Sequence, residues 1–99
     1  MDVNIKAIKF DATEKLQDFI QKKVSKLDKY CNDIKKVEVS LKVVKPETAL
    51  NKQASITVVL PGAELFAEKI CDTFEEAVTE SLAAIEKQLS KYKEKQTNN

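Results

Sequence analysis

Four short segments with a period of two and two longer segments with a period near 3.6 predict an α+β fold in the order βαβββα. Each strand-like segment has one apolar and one mainly polar face, and each helix-like segment has a single apolar stripe. Such elements bury their apolar surfaces together as a two-layer sandwich, a four-stranded sheet with both helices packed on one face and the other face left to water.

The first strand is expected over residues 2–9, where Val3, Ile5 and Ala7 alternate with Asn4 and Lys6. Asp11 and Glu14 have the spacing of a capping box and open the first helix. Its stripe of Leu16, Ile20, Val24, Leu27 and Cys31 spans about 80° at 100° per residue and ends near Asn32. Lys15, Lys22, Lys26 and Lys29 gather on the opposite side, with Lys23 at the border near Phe19. From Val37 the period becomes two. Val37, Val39, Leu41 and Val43 face one way and Glu38, Ser40 and Lys42 the other, which reads as a half-buried antiparallel strand that Pro46 terminates. A polar loop from Pro46 to Lys52 leads to a third strand, Ala54 to Leu60. Pro61 and Gly62 then form a hairpin turn, the chain's one glycine standing where φ must be positive, and Leu65 to Ile70 supply a short fourth strand. The last helix starts at Asp72 or Thr73, since each has a glutamate three places later; Gln96 to Asn99 are expected to fray.

That last helix carries two patterns. Phe74, Val78, Leu82, Ile85, Leu89 and Tyr92 lie within about 80° of one another and require burial. Lys87, Lys91 and Lys95 recur every fourth residue on an adjacent flank that stays in water. A rigid cationic ridge suits the phosphates of a polyanion, while the same lysines are also what a long solvated helix ordinarily carries.

With 99 residues and 42% hydrophobic content, residues 1–99 read as one domain with one core. No apolar run approaches the ~20 residues of a membrane span, and Met1 to Asn4 lack the features of a signal peptide, so a cytoplasmic protein without a membrane partner is expected. No histidine is present, so Cys31 and Cys71 cannot assemble a zinc site or a Cys–His nucleophile and are expected as small buried hydrophobes. Acids scattered on amphipathic faces complete the case against an enzyme, and no cofactor is expected. All 17 basic residues are lysine. Without guanidinium forks, sequence-specific reading of DNA is disfavoured, and a nucleic acid would be recognised by charge and shape. The net charge of +1 conceals an uneven distribution: residues 64–80 are acidic with a single lysine, whereas residues 85–99 hold four lysines against Glu86 and Glu94.

Three stretches in this order resemble the ribosome hibernation-promoting factors and related ribosome-associated translation inhibitors, over essentially the whole chain. They are Val3-Asn4-Ile5 with Ala12-Thr13-Glu14-Lys15-Leu16, then Lys23-Val24-Ser25-Lys26-Leu27-Asp28-Lys29-Tyr30, and finally Gln88-Leu89-Ser90-Lys91-Tyr92-Lys93-Glu94-Lys95. The resemblance implies a βαβββα domain that binds the small ribosomal subunit in the channel of messenger RNA and the A- and P-site transfer RNAs, silencing translation in stationary phase. It implies rRNA contacts at Lys23 and Lys26 on the first helix, with Lys22 and Lys29 beside them, and at Lys87, Lys91, Lys93 and Lys95 on the last. The chain departs from the family pattern at Glu75, where a tyrosine is usual, and at Ala84, where a basic residue is usual. It resembles the short form, expected to be monomeric when free, and any pairing of ribosomes would need a second factor or a direct contact that the sequence does not show. The alternative is a small cytosolic protein-interaction module that uses its strand edges or the acids around Glu75, Glu76 and Glu80, with lysines serving solubility.

Overall fold

Alternation of buried and exposed side chains sets the sheet. A computed structural model describes residues 1–44 and 50–97, with side chains of the last helix described as far as Glu94. The strands are β1 (Asp2–Ala7), β2 (Lys36–Val43), β3 (Lys52–Leu60) and β4 (Ala63–Cys71), and the helices are α1 (Glu14–Ser25), extended by a 3₁₀ turn over Lys26–Lys29, and α2 (Phe74–Thr97). The order is therefore βαβββα, as the periodicity predicts. The strands lie side by side in the order β1-β2-β3-β4.

Strand direction departs from the expectation for β2. It pairs antiparallel with β3 but parallel with β1, Val3 lying against Val37 and Ile5 against Val39, so the sheet is mixed. Helix α1 makes the crossover that a parallel pair requires. Val37, Val39, Leu41, Ala54, Ile56 and Val58 are almost wholly buried on one face. Ile20, Val24 and Leu27 from α1 and Val78, Ile85 and Leu89 from α2 join them in one core cluster, so both helices cover that face. Ile34, just before β2, is also buried there and belongs to neither expected stripe.

Element ends differ from the sequence reading for local reasons. Thr13, not Asp11, caps α1, its hydroxyl accepting from the Leu16 amide at 3.1 Å. The stripe that continues to Cys31 does so across the 3₁₀ turn, so the α-helix itself stops at Ser25 rather than near Asn32. At α2 the ambiguity resolves to Thr73. Its Oγ1 accepts from the Glu76 amide at 3.1 Å and donates to the Glu76 carboxylate at 3.2 Å. Asp72 instead accepts from the Leu50 amide at 2.8 Å, tying the end of β4 to the start of the β3 segment. Strand β3 begins at Lys52, two residues before the expected Ala54, and β4 spans nine residues rather than the short Leu65–Ile70 run. Helix α2 continues to Thr97, beyond the expected fraying point, while Asn98, Asn99 and most of the Pro46–Lys52 loop, with Pro46 itself, lie outside the described residues.

The hairpin turn is as its sequence requires. Leu60 pairs with Ala63 across Pro61 and Gly62, and Gly62 has φ +72°, the type II arrangement of proline followed by a residue in the left-handed region. A Cβ at Gly62 would meet nothing within 4 Å, so the need for glycine there is purely conformational.

Candidate nucleic-acid interface on the helical face

The topology decides where the lysines end up. Because β1, β2 and β4 run the same way, α1 and α2 both start at one end of the sheet and run back along it. The stacked rings of Phe10 and Phe74, with centroids 5.1 Å apart, hold the two starting ends together. Each helix is acidic at its beginning and basic at its end: Glu14 and Asp18, then Lys22 and Lys23, on α1; Glu75, Glu76 and Glu80, then Lys87, Lys91 and Lys93, on α2. Lys15 is the exception at the acidic end, and Asp28, Glu86 and Glu94 at the basic end. Acids near a helix N-terminus and lysines near its C-terminus also complement the helix dipole, which favours each helix independently of any partner. Side by side, the two helices gather their acids toward one end and their lysines toward the other, while Lys42, Lys52 and Lys69 of the strands lie at the end where the helices start.

The expected contact residues divide into two groups. Lys22, Lys26 and Lys29 are exposed and Lys23 is half-buried, its Nζ 5.6 Å from the centroid of the Phe19 ring one turn earlier. Lys23 and Lys26 line a groove between α1 and α2 together with Tyr30, facing Thr79, Ala83 and Glu86 across it. Lys87 and Lys91 are exposed but do not enter this groove. Gln88, next to Lys87, donates to the Phe66 carbonyl at 2.8 Å, so that flank of α2 faces β4, and helical periodicity places Lys91 beside it. Lys93 is exposed, and the side chain of Lys95 lies outside the described residues. Among the described residues Leu89 is the last fully buried one of α2 and Tyr92 is half-buried against the core, so Lys91 and Lys93 stand at the core's edge. Lys22, Lys23, Lys26, Lys29, Lys87 and Lys91 form no ion pair among the described residues.

Both cysteines are buried and unbonded to each other, in keeping with a packing role. Cys71 has in addition a partner that its sequence context did not suggest: its thiol donates to the Glu80 carboxylate at 2.9 Å. That hydrogen bond, with burial adding to it, pushes the thiol up to about 11, so the thiolate needed for nucleophilic or redox chemistry is suppressed. Ser81, fully buried on α2, is satisfied by donating to the Ala54 carbonyl at 3.2 Å. Among the described residues no group of three or more Cys, Asp or Glu side chains could hold a metal ion, and no helix is long and apolar enough to cross a membrane.

Comparison with known proteins bears on the fold and the family. The chain is 31% identical over 96 residues to a ribosome hibernation promoting factor of Azotobacter vinelandii, covering 97% of this chain and 86% of that protein. It is 29% identical to one of Pseudomonas putida, covering 97% and 90% respectively. A ribosomal subunit interface protein from Coxiella burnetii superposes with a TM-score of 0.84 at 25% identity, covering 94% of this chain and 98% of that one. The N-terminal domain of Thermus thermophilus Protein Y shares the fold with a TM-score of 0.78 at 22% identity, covering 93% and 99%. A family model described as Sigma 54 modulation protein / S30EA ribosomal protein matches residues 3–97, and the chain belongs to that family.

Proposed function

We propose that the protein is a ribosome hibernation factor that acts by binding and not by catalysis. The lysine-rich ends of its helices engage rRNA of the small ribosomal subunit, and it occupies the path of messenger RNA and of the A- and P-site transfer RNAs, blocking translation in stationary phase. The observation that carries this reading is the convergence of the lysine-rich ends of two parallel helices on a chain of this family, with Lys22, Lys23, Lys26, Lys29, Lys87 and Lys91 forming no ion pair among the described residues. Lys22, Lys23, Lys26 and Lys29 on one helix and Lys87, Lys91, Lys93 and Lys95 on the other are the proposed rRNA contacts. Point charges on flexible stems suit recognition of phosphates by position and shape. The free protein is proposed to be monomeric and cytoplasmic, with no DNA or membrane partner; pairing of ribosomes would require a second factor or a direct contact that the sequence does not show.

Co-sedimentation with purified small subunits at two salt concentrations tests this directly. Binding should fall steeply with salt as lysine–phosphate contacts return their counterions, and pre-bound messenger and initiator transfer RNA should compete with the protein. Salt-insensitive binding, or occupancy alongside both RNAs, would defeat the reading. A protein-interaction module is the second reading, favoured by Phe66 and Ile70, 53% and 47% exposed on the open face of the sheet. It predicts binding that survives loss of the lysines and fails on Phe66→Ser.

A further inference from the structure

The groove between the helices holds more than a phosphate site needs. Tyr30, 41% exposed, presents its ring beside Lys23 and Lys26. On the facing wall Glu86 is half-buried, yet it pairs with no cation among the described residues although two lysines share its groove. A carboxylate repels phosphate, so a surface serving only a sugar–phosphate backbone is weakened by Glu86. An aromatic face, two cations and an unpaired acceptor in one groove of about 330 Å³ instead match the separate parts of a nucleotide. Its base has a π-face, its phosphate a negative charge, and its base edge, in some bases, an amine that donates.

We infer that this groove seats one unpaired RNA base carrying an exocyclic amine, as cytosine does and uracil does not. The inference rests on the RNA-binding reading above and names the nucleotide that the site takes. The base stacks on Tyr30, its amine donates to the Glu86 carboxylate, and its adjoining phosphate lies between Lys23 and Lys26. Uracil presents a carbonyl where cytosine presents the amine, so Glu86 favours cytosine and repels uracil at the same position.

The chain has no tryptophan and two tyrosines, so Tyr92→Phe leaves Tyr30 as its single tyrosine fluorophore. Titration of that variant with hexacytidylate and hexauridylate RNA at low salt should show saturable quenching, with cytidylate binding several-fold more tightly. On the wild-type background, followed by fluorescence anisotropy of labelled RNA, Tyr30→Leu should weaken both about tenfold, as loss of base stacking does, while Tyr30→Phe should not. Glu86→Ala should bring the two RNAs to equal affinity. Circular dichroism checks that each variant is folded. If Tyr30→Leu and Glu86→Ala bind both RNAs as the wild type does, while Lys23→Glu with Lys26→Glu abolishes binding to small subunits, the base seat is wrong and the rRNA-binding reading stands. If the lysine variant binds small subunits normally, that reading fails and takes the base seat with it.

Discussion

The helical and open faces of the sheet are made from the same strands, and both carry lysines, but their charges are disposed differently. On the open face Lys36 is held by Glu38 at 2.9 Å, a pairing that raises the Lys36 pKa, and Gln53 is hydrogen-bonded to Glu68 on the neighbouring strand. On the helical face Lys22, Lys23, Lys26, Lys29, Lys87 and Lys91 pair with no carboxylate among the described residues. An exposed lysine already sharing a carboxylate has less to offer a phosphate than one that pairs with none. Lys6 and Lys42 on the open face likewise form no ion pair among the described residues, so it is the gathering of lysines on neighbouring turns of two helices, more than pairing or number, that separates the candidate interface from ordinary surface.

The contrast can be broken most severely from inside. Leu89, fully buried, holds the basic end of α2 to the core. Leu89→Asp places an unpaired charge there at a cost of several kcal/mol, against a total of roughly 5–15 kcal/mol for a small domain, and should abolish the cooperative melt followed by circular dichroism. A native-like melt would show the helix face to be misassigned.

Next in size is charge reversal on the helical face. Replacing Lys23, Lys26, Lys87 and Lys91 together with glutamate should eliminate detectable small-subunit binding and relieve inhibition of translation in vitro, with the melting temperature changed by only a few degrees, since all four lie outside the core. If binding persists, the unpaired lysines are surface solvation and the contrast between the faces has no functional content.

A smaller effect separates the cysteines. The Cys71 thiol has a pKa near 11 when folded against an ordinary value of 9.0, so between these values the native state retains a proton that the unfolded chain has released. Stability from this group is therefore complete below about pH 9 and is lost as the pH rises toward 11. Melting temperatures measured across that range should fall less for Cys71→Ser than for the wild type. Neither Cys71→Ser nor Cys31→Ser should change ribosome binding; a loss of binding with the fold intact would point to a redox role instead.

The open face should tolerate most. Lys42→Glu should shift stability by no more than about 0.5 kcal/mol, with Lys36→Glu similar despite its ion pair. Thr57→Asp, which sets a carboxylate opposite Glu38 in a central strand, should cost about 1 kcal/mol and leave the domain folded, and in all three small-subunit binding should stay within a few-fold of wild type. A large loss of binding on this face would move the interface to the sheet.

Periodicity made the faces legible. Val37, Val39 and Leu41, and Ile85 and Leu89, are buried where a period of two and a period of 3.6 place them. Strand direction was less accessible, because it depends on how β1 connects through α1 to β2 and not on any residue within β2. Strand β4 looked short because Phe66, Lys69 and Ile70 are all exposed on an edge strand and blur its alternation. Thr13 and Asp11 are both competent caps, and only the path of the chain chooses between them. The lysines could be assigned to exposed flanks from sequence, but their division into a groove set and a set toward β4 depends on how α1 and α2 lie together. The Cys71–Glu80 contact likewise joins a strand to a helix and leaves no spacing signature.

The stacked Phe10 and Phe74 rings mark the end at which both helices begin, and this shared polarity has a consequence before any contact is made. Two antiparallel helices with the same charges would cancel each other's asymmetry, whereas two helices running together add theirs. The helix pair therefore carries a charge asymmetry along its length that the net charge of +1 does not reveal. In the field of a polyanion such an asymmetry gives a torque that favours approach with the lysine-rich helix ends forward. Screening confines this steering to about 8 Å at physiological salt. The isoelectric point, near 7.7, gives no hint of it.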